Sequence, residues 1–167
     1  MAVRPILRWP DKRLRTAAAD VPQITDEIRA LWEDMIATMR AMPGSGVGLA
    51  APQIGVMLRL AVVDASATGD QTVRLANPVV THAGTTLRPH DEASPCLPGV
   101  HARIERPDPV RVRFLDESGT DVEQEFDGLW ATSVQHQIDH LAGRMYFDRL
   151  SRTKREMLLK RARKAPG

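Results

Sequence analysis

The stretch Val134-Gln135-His136-Gln137-Ile138-Asp139-His140 places two histidines four residues apart in a segment of helical character. On an α-helix this spacing puts both imidazoles on one face, one turn apart. Two ring nitrogens directed at one point are a common start of a divalent metal site. The alternative is a pair of buried, hydrogen-bonded histidines, and the spacing alone leaves both interpretations open.

The residue after the first histidine decides what chemistry such a site could perform. In the helical zinc-hydrolase pattern H-E-x-x-H this residue is a glutamate that acts as general base. In this chain it is Gln137, and an amide has no basic site near neutral pH. If the two histidines do bind a metal, Gln137 therefore puts the usual hydrolytic chemistry of such a site in doubt.

Size and composition are those of an ordinary globular chain. Its 167 residues suit a single domain spanning residues 1–167, and 43% hydrophobic with 26% charged residues is typical of soluble proteins. The first residues lack the apolar core of a signal peptide and no apolar run approaches a membrane span, so we expect a cytoplasmic protein without membrane contact. A net charge of +2 gives no reason to expect sequence-specific nucleic-acid binding.

Hydrophobic periodicity predicts an α+β fold. Helices are expected from Thr25 to Pro43, from Gly128 to Leu141, and at about residues 151–164, where the chain is basic. Strands are expected at residues 58–64, 73–80, 110–114, 122–126 and 145–147, whereas residues 81–100 are typical of loop with an edge strand. Because the strands cluster before the late helices, antiparallel or mixed sheets are favoured over a parallel α/β fold.

Two further stretches are candidates for the same site. Residues 44–53 are small, glycine-rich and apolar, which fits either a tight turn or backbone held close to a ligand. Cys96, the only cysteine, lies in a loop stiffened by Pro95 and Pro98. Together with the two histidines it would supply three ligands and leave a fourth position open, although a small buried cysteine is the alternative.

Three segments together resemble the motifs of the peptide deformylase family, and the resemblance extends over nearly the whole chain. Gly46-Val47-Gly48-Leu49-Ala50-Ala51-Pro52-Gln53 matches GxGLAAxQ, Cys96-Leu97 lies where EGCLS would place its ligand, and the histidine stretch resembles HExDH. The resemblance implies one α+β domain with antiparallel or mixed sheets around a central metal-binding helix, and a C-terminal helix. It also implies removal of the formyl group from the formyl-methionine of nascent bacterial and organellar chains.

The resemblance assigns the metal and the catalytic groups by position. One divalent metal would be bound by Cys96, His136 and His140, with Fe²⁺ expected and Zn²⁺ or Ni²⁺ able to substitute. Water activated by the metal would attack the formyl carbon. The side-chain amide of Gln53 and the backbone N–H of Leu97 would donate to the developing oxyanion.

The resemblance also assigns the substrate-binding residues. Val47 and Gly48 would pair with the extended peptide as a neighbouring strand does. Leu129, Thr132 and Ser133 would line the methionine pocket, although the two hydroxyl groups make it more polar than a methionine requires. Asp139 is predicted either to support the site or to make a plain structural hydrogen bond.

Several positions depart from the family pattern, and all of them are expected near the site. Gln137 stands where the catalytic glutamate is expected, Ser94-Pro95 where Glu-Gly is expected, and Pro98 where serine is expected. Three hypotheses follow: a working deformylase of reduced rate, a paralogue that binds metal and formylated peptide or another partner without turnover, and a hydrolase of a different small N-acyl substrate.

The basic helix at about residues 151–164 is a candidate interaction surface. The resemblance implies that it could dock on the ribosome near the peptide exit. The alternative is a solvated helix held by its leucines, because a run of charges is usually solvated surface.

Overall fold

The computed structural model describes residues 1–44 and 46–165, so Ser45 of the glycine-rich stretch and residues 166–167 of the predicted domain lie outside it. The described helices and strands follow in chain order. The α-helices are α1 (Asp26–Arg40), α2 (Gly128–Leu141) and α3 (Arg152–Lys164). The strands are β1 (Gly48–Ala50), β2 (Leu60–Val63), β3 (Val73–Glu92), β4 (Ala102–Leu115) and β5 (Asp121–Phe126), and short 3₁₀ helices cover Lys12–Arg15, Ala51–Ile54 and Tyr146–Arg149.

The five strands form one sheet in the order β1-β2-β3-β4-β5, and every neighbouring pair is antiparallel. The α+β prediction is confirmed, and of the two sheet types that the sequence left open the antiparallel one is observed. Strand β1 lies at one edge of this sheet. The glycine-rich stretch that contains β1 continues directly into the 3₁₀ helix Ala51–Ile54.

The hairpin of β3 and β4 is much longer than the sequence predicts. Residues 81–92 were expected to be mostly loop, but β3 continues to Glu92, which pairs with Ala102. Three register shifts interrupt the regular pairing of this hairpin, so its exposed side chains do not alternate regularly. The predicted strand at residues 145–147 is also wrong, because the chain there enters the 3₁₀ helix Tyr146–Arg149.

Helices α1 and α3 begin where the sequence predicts. The Thr25 side chain accepts a hydrogen bond from the Ile28 N–H at 3.3 Å, and the Ser151 hydroxyl accepts one from the Lys154 N–H at 3.3 Å. The buried side of α1 packs on β1 and β2 through five large side chains: Ile28, Trp32, Met35, Ile36 and Met39.

Helix α2 is buried around most of its circumference, although much of its sequence is polar. Gln135, His136, Gln137, Asp139 and His140 are each less than one-tenth exposed. Buried polar groups need partners, so the polar side of α2 is where a functional site is expected. Within the described ranges, no helix is both long enough and apolar enough to cross a bilayer.

Candidate metal centre

The two histidines of α2 lie side by side, with ring centroids 5.0 Å apart. His140 is 1% exposed, and neither of its ring nitrogens has a hydrogen-bond partner among the described residues. Burial, reinforced by the neighbouring His136, holds the pKa of His140 well below its ordinary value. His140 is therefore a neutral imidazole with a free lone pair, which is the form that binds metals.

The orientation of His136 is set by a carboxylate from another element. Its Nδ1 lies 2.8 Å from Oε1 of Glu92, the last residue of β3. The Tyr146 ring stacks on the same imidazole at a centroid distance of 5.8 Å and an interplanar angle of 18°. A carboxylate on one ring nitrogen leaves the other nitrogen as the ligand, which is the usual support of a metal-binding histidine.

Glu92 belongs to a buried network of alternating charges. Arg106 donates to Glu92 at 2.6 and 2.8 Å and to Asp139 at 2.9 Å, and Arg149 donates to Asp139 at 2.8 and 2.9 Å. Burial alone would raise the pKa of both carboxyl groups, but the hydrogen bonds and charges of their cationic partners outweigh it and lower the pKa of each. Asp139 therefore makes the structural bonds that were one of its two predicted roles.

Cys96 lies in the loop after β3 and is 1% exposed. The Gln53 side-chain amide donates toward its sulfur at 3.5 Å, and its backbone N–H donates to the Ser94 hydroxyl at 3.2 Å. Burial raises the pKa of the thiol, with the hydrogen bonds from Gln53 and Ser94 opposing the shift. A nearby cation is the ordinary means of converting such a thiol to a thiolate ligand.

These groups differ in how well they fit a metal ion. The neutral, partnerless imidazole of His140 and the oriented imidazole of His136 have the chemistry of a ligand pair. Across residues 1–44 and 46–165, however, no three His, Cys, Asp or Glu side chains are grouped closely enough to hold a metal. The donor chemistry therefore fits a divalent ion, while the three-ligand set with Cys96 stays a prediction.

A cavity of about 390 Å³ lies in front of His136. It is bounded by the β1 segment, the Cys96 loop and α2, so it brings together stretches that are far apart in the chain. Nine residues predicted for the site line it: Val47, Gly48, Gln53, Leu97, Leu129, Thr132, Ser133, His136 and Gln137. Cys96 and His140, each 1% exposed, are not among its lining residues.

Gln137 lies against the β1 backbone. A Cβ placed on Gly48 would be 2.5 Å from Nε2 of Gln137 and 2.6 Å from the Ser133 hydroxyl, so a side chain at residue 48 would displace both groups. The close neighbours of Gly48 are side chains of α2, so the predicted approach of this backbone to a ligand stays a prediction. Gln137 is 4% exposed, and its Oε1 has no hydrogen-bond partner among the described residues. Gln137 lines the cavity, but this unpaired oxygen is itself shielded from solvent.

Both predicted oxyanion donors are engaged inside the protein. The Leu97 N–H donates to the Ser94 carbonyl at 3.0 Å. The Gln53 amide donates toward the Cys96 sulfur, while its oxygen accepts from the Ala50 N–H at 2.9 Å. Either donor would have to share or exchange its bond to stabilise an oxyanion, so their predicted role stays a prediction.

The hydroxyl groups of the predicted methionine pocket are already hydrogen-bonded. The Thr132 hydroxyl lies 2.8 Å from Nδ1 of His90, and the Ser133 hydroxyl donates to the Val47 carbonyl at 2.9 Å. Neither hydroxyl therefore requires a polar partner from a ligand. The pocket is less polar than its sequence indicates, which suits an apolar side chain.

Sequence reasoning missed Glu92, Arg106 and Arg149, which position the histidine helix. The sequence has no acid directly before Cys96, and Glu92 supplies one from four residues upstream. The motif EGCLS has its glutamate two residues before the cysteine, and two extra residues between them would place that glutamate at residue 92. This spacing was the signal that the sequence offered. Arg106 shares the alternation of Ile104, Val110, Val112 and Phe114, the buried side of β4, whereas the exposed arginines of that strand lie on the opposite side. This alternation was missed because the strand was expected only at residues 110–114.

Comparison with known proteins gives the class of protein: a metal-dependent hydrolase, here on an α+β scaffold. Residues 3–156 match the family model described as polypeptide deformylase. Peptide deformylase of Afipia carboxidovorans is 42% identical over 99% of this chain and 96% of its own length, and that of Methylocella silvestris is 42% identical over 99% and 86%.

Solved structures agree with these sequence matches. A crystal structure of a peptide deformylase from Legionella pneumophila has a TM-score of 0.88 at 38% identity and covers 98% of this chain and 95% of its own. That of peptide deformylase from Ehrlichia chaffeensis in complex with actinonin has a TM-score of 0.90 at 31% identity, with 98% of each chain covered. The chain belongs to the polypeptide deformylase family, which implies a divalent metal.

Proposed function

We propose that this chain removes the N-formyl group from formyl-methionyl peptides of nascent chains. Family membership and relatives named peptide deformylase support the reaction. The observation that carries the proposal to this chain is the 390 Å³ cavity, where the edge of β1, the histidine helix and Gln53 meet.

The substrate would lie along β1 with its first side chain in the cavity. β1 is an edge strand, so its free side can accept a peptide as an added strand next to Val47 and Gly48. Leu129, Thr132 and Ser133 line the region proposed for the methionine side chain, and the internal bonds of the two hydroxyls leave it largely apolar. The formyl end would then face His136 and Gln137.

Cys96, His136 and His140 would hold the metal, with Fe²⁺ as the native ion and Zn²⁺ or Ni²⁺ as substitutes. When bound, a divalent ion supplies Lewis acidity, which polarises a carbonyl and makes water nucleophilic near neutral pH. The orientation of His136 by Glu92 and the partnerless nitrogens of His140 support this assignment. Elemental analysis of the protein as purified tests the identity of the metal.

Gln137 sets the expected rate. A glutamate at this position would accept and return a proton, whereas the amide of Gln137 can only accept or donate a hydrogen bond. Losing a general acid/base costs about 10²–10⁴ in rate. The partnerless Oε1 of Gln137 and the engaged Leu97 N–H favour, as a second candidate, a protein that binds formylated peptide without turnover.

Formate release from a formyl-methionyl peptide, measured with Fe²⁺- and Ni²⁺-loaded protein, tests the proposal. We expect slow turnover, raised about 10²–10⁴-fold in kcat/KM by Gln137→Glu. Gln124→Glu is the matched control, because Gln124 is exposed on β5 and does not line the cavity. The kcat/KM of Gln124→Glu should equal that of the parent protein.

The other outcomes assign the remaining hypotheses. Peptide binding without turnover, restored to turnover by Gln137→Glu, would establish the non-catalytic binder. Metal content without peptide binding or turnover in either form would contradict the deformylase proposal and leave a hydrolase of a different small N-acyl substrate.

The ribosome is the partner proposed for α3, and the cytoplasm is where nascent formylated chains would be met. The helix carries seven Lys or Arg residues between Arg152 and Lys164, a charge that suits ribosomal RNA. Deleting residues 152–167 should weaken co-sedimentation with ribosomes at low salt while metal content stays the same. Unchanged sedimentation would refute this contact and leave α3 as a solvated helix.

A further inference from the structure

A second groove, of about 360 Å³, lies between the N-terminal arm, the Cys96 loop and the end of α3. Its volume falls at the lower end of the range of small-molecule sites. Most of its lining is apolar, from three separate segments: Trp9, Pro10, Leu97, Pro98, Leu159 and Ala162.

Two arginines, Arg8 and Arg163, also line this groove and come from opposite ends of the chain. Neither guanidinium forms an ion pair or a side-chain hydrogen bond with any other described residue. No Asp or Glu lines the groove. Among residues 1–44 and 46–165, this apolar surface therefore has two unpaired positive charges and no negative charge, which is complementary to a ligand that has an apolar body and an anionic head.

We propose that this groove binds a small amphiphilic carboxylate. The carboxylate lies between Arg8 and Arg163, and the hydrocarbon body lies against Trp9, Leu97 and Leu159. Arginine suits this role because its planar guanidinium donates two parallel hydrogen bonds to a carboxylate.

Cys96 itself is one of the residues that line the groove. The Trp9 N–H donates to the Cys96 carbonyl at 2.8 Å, so the arm that forms one wall is bonded to the Cys96 loop. Leu97 and Pro98 line both this groove and the 390 Å³ cavity. A ligand in the groove therefore contacts the back of the loop whose front faces the proposed substrate.

Calorimetric titration of the full-length protein as purified with octanoate tests the proposal. Octanol has the same hydrocarbon body without the charge, and acetate has the charge without the body. We expect octanoate to bind at least about tenfold more tightly than either, because both halves of the groove must be satisfied. We expect Arg8→Gln and Arg163→Gln each to weaken octanoate binding about tenfold.

Lys160→Gln is the matched control, because Lys160 is an exposed cation of the same helix outside the groove. Its affinity for octanoate should equal that of the parent. Octanoate should also change the tryptophan fluorescence of the parent but not of Trp9→Phe. Absence of octanoate binding, equal binding of octanol, or equal affinity of the Arg8→Gln/Arg163→Gln double variant and the parent would overturn the proposal.

Discussion

Tyr146 illustrates how a single buried side chain can be well packed and poorly hydrogen-bonded at once. Its ring stacks on His136, but its hydroxyl is buried with no hydrogen-bond partner among the described residues. Burial, together with the nearby charge of Glu92, raises the pKa of Tyr146 to about 12. The hydroxyl therefore stays protonated, and its lost hydration is not compensated by the protein.

Replacing Tyr146 by phenylalanine should stabilise the protein. Tyr146→Phe keeps the ring on His136 and removes the unpaired hydroxyl, so we expect the free energy of unfolding to rise by about 1 kcal/mol. Urea denaturation followed by circular dichroism measures this change. Tyr146→Leu is the control, since it also loses the ring and should destabilise the protein by about 1–3 kcal/mol. A loss of stability in Tyr146→Phe would show that the hydroxyl has a partner.

At the scale of the elements, the buried charge network ties four segments together. Glu92 belongs to β3, Arg106 to β4, Asp139 to α2, and Arg149 to the 3₁₀ helix that follows. The two carboxylates and two guanidinium groups balance in charge, which lets them remain ionised inside the protein. This network fixes the position of α2 relative to the sheet and keeps the Glu92 carboxylate hydrogen-bonded to His136.

Removing the central cation should be costly. In Arg106→Met the carboxylates of Glu92 and Asp139 lose a partner while buried, and we expect a loss of about 3–5 kcal/mol in the free energy of unfolding. Arg113→Met is the matched control on the same strand, because the Arg113 side chain is 64% exposed where it pairs with Asp121. Its effect should stay within about 0.5 kcal/mol. Equal losses in both variants would contradict a structural role of the network, and urea denaturation distinguishes these outcomes.

At the scale of the whole molecule, the described residues form three groups of buried apolar side chains, and one tryptophan belongs to or packs on each. Trp32 belongs to the group under α1, Trp130 packs on the group between the sheet and α2, and Trp9 packs on the group beneath α3. The N-terminal arm is hydrogen-bonded to two other segments, because the Leu7 N–H donates to the Gln53 carbonyl and the Trp9 N–H to the Cys96 carbonyl, both at 2.8 Å.

A single domain spanning residues 1–167 remains a prediction, and the three tryptophans offer a direct test. In variants that retain only Trp9, Trp32 or Trp130, with phenylalanine at the other two positions, the fluorescence transition in urea should coincide with the circular dichroism transition of the same variant. Coincident transitions are expected when the parts unfold as one cooperative unit. A fluorescence transition that precedes the circular dichroism transition in any one variant would show that this part unfolds separately.

The sequence by itself determined the features that depend on near neighbours. The caps Thr25 and Ser151, the helix of residues 128–141 and the single-turn spacing of His136 and His140 are set by local hydrogen bonding and periodicity. The glycine-rich motif and the histidine stretch also contain six residues that line the cavity: Gly46, Val47, Gly48, Gln53, His136 and Gln137. These features can be predicted from the sequence because each depends on residues no more than about one or two helical turns apart.

Only the tertiary structure decided which distant groups meet. Glu92 reaches His136 across 44 residues of chain, and Arg106 reaches Asp139 across 33, and no local pattern encodes either contact. The exposed half of β3 is strand because β4 satisfies its backbone, although its side chains lack the alternation of a half-buried strand. Partners of buried polar groups are chosen by the packing of whole elements, so the orientation of the site became visible only once the chain was folded.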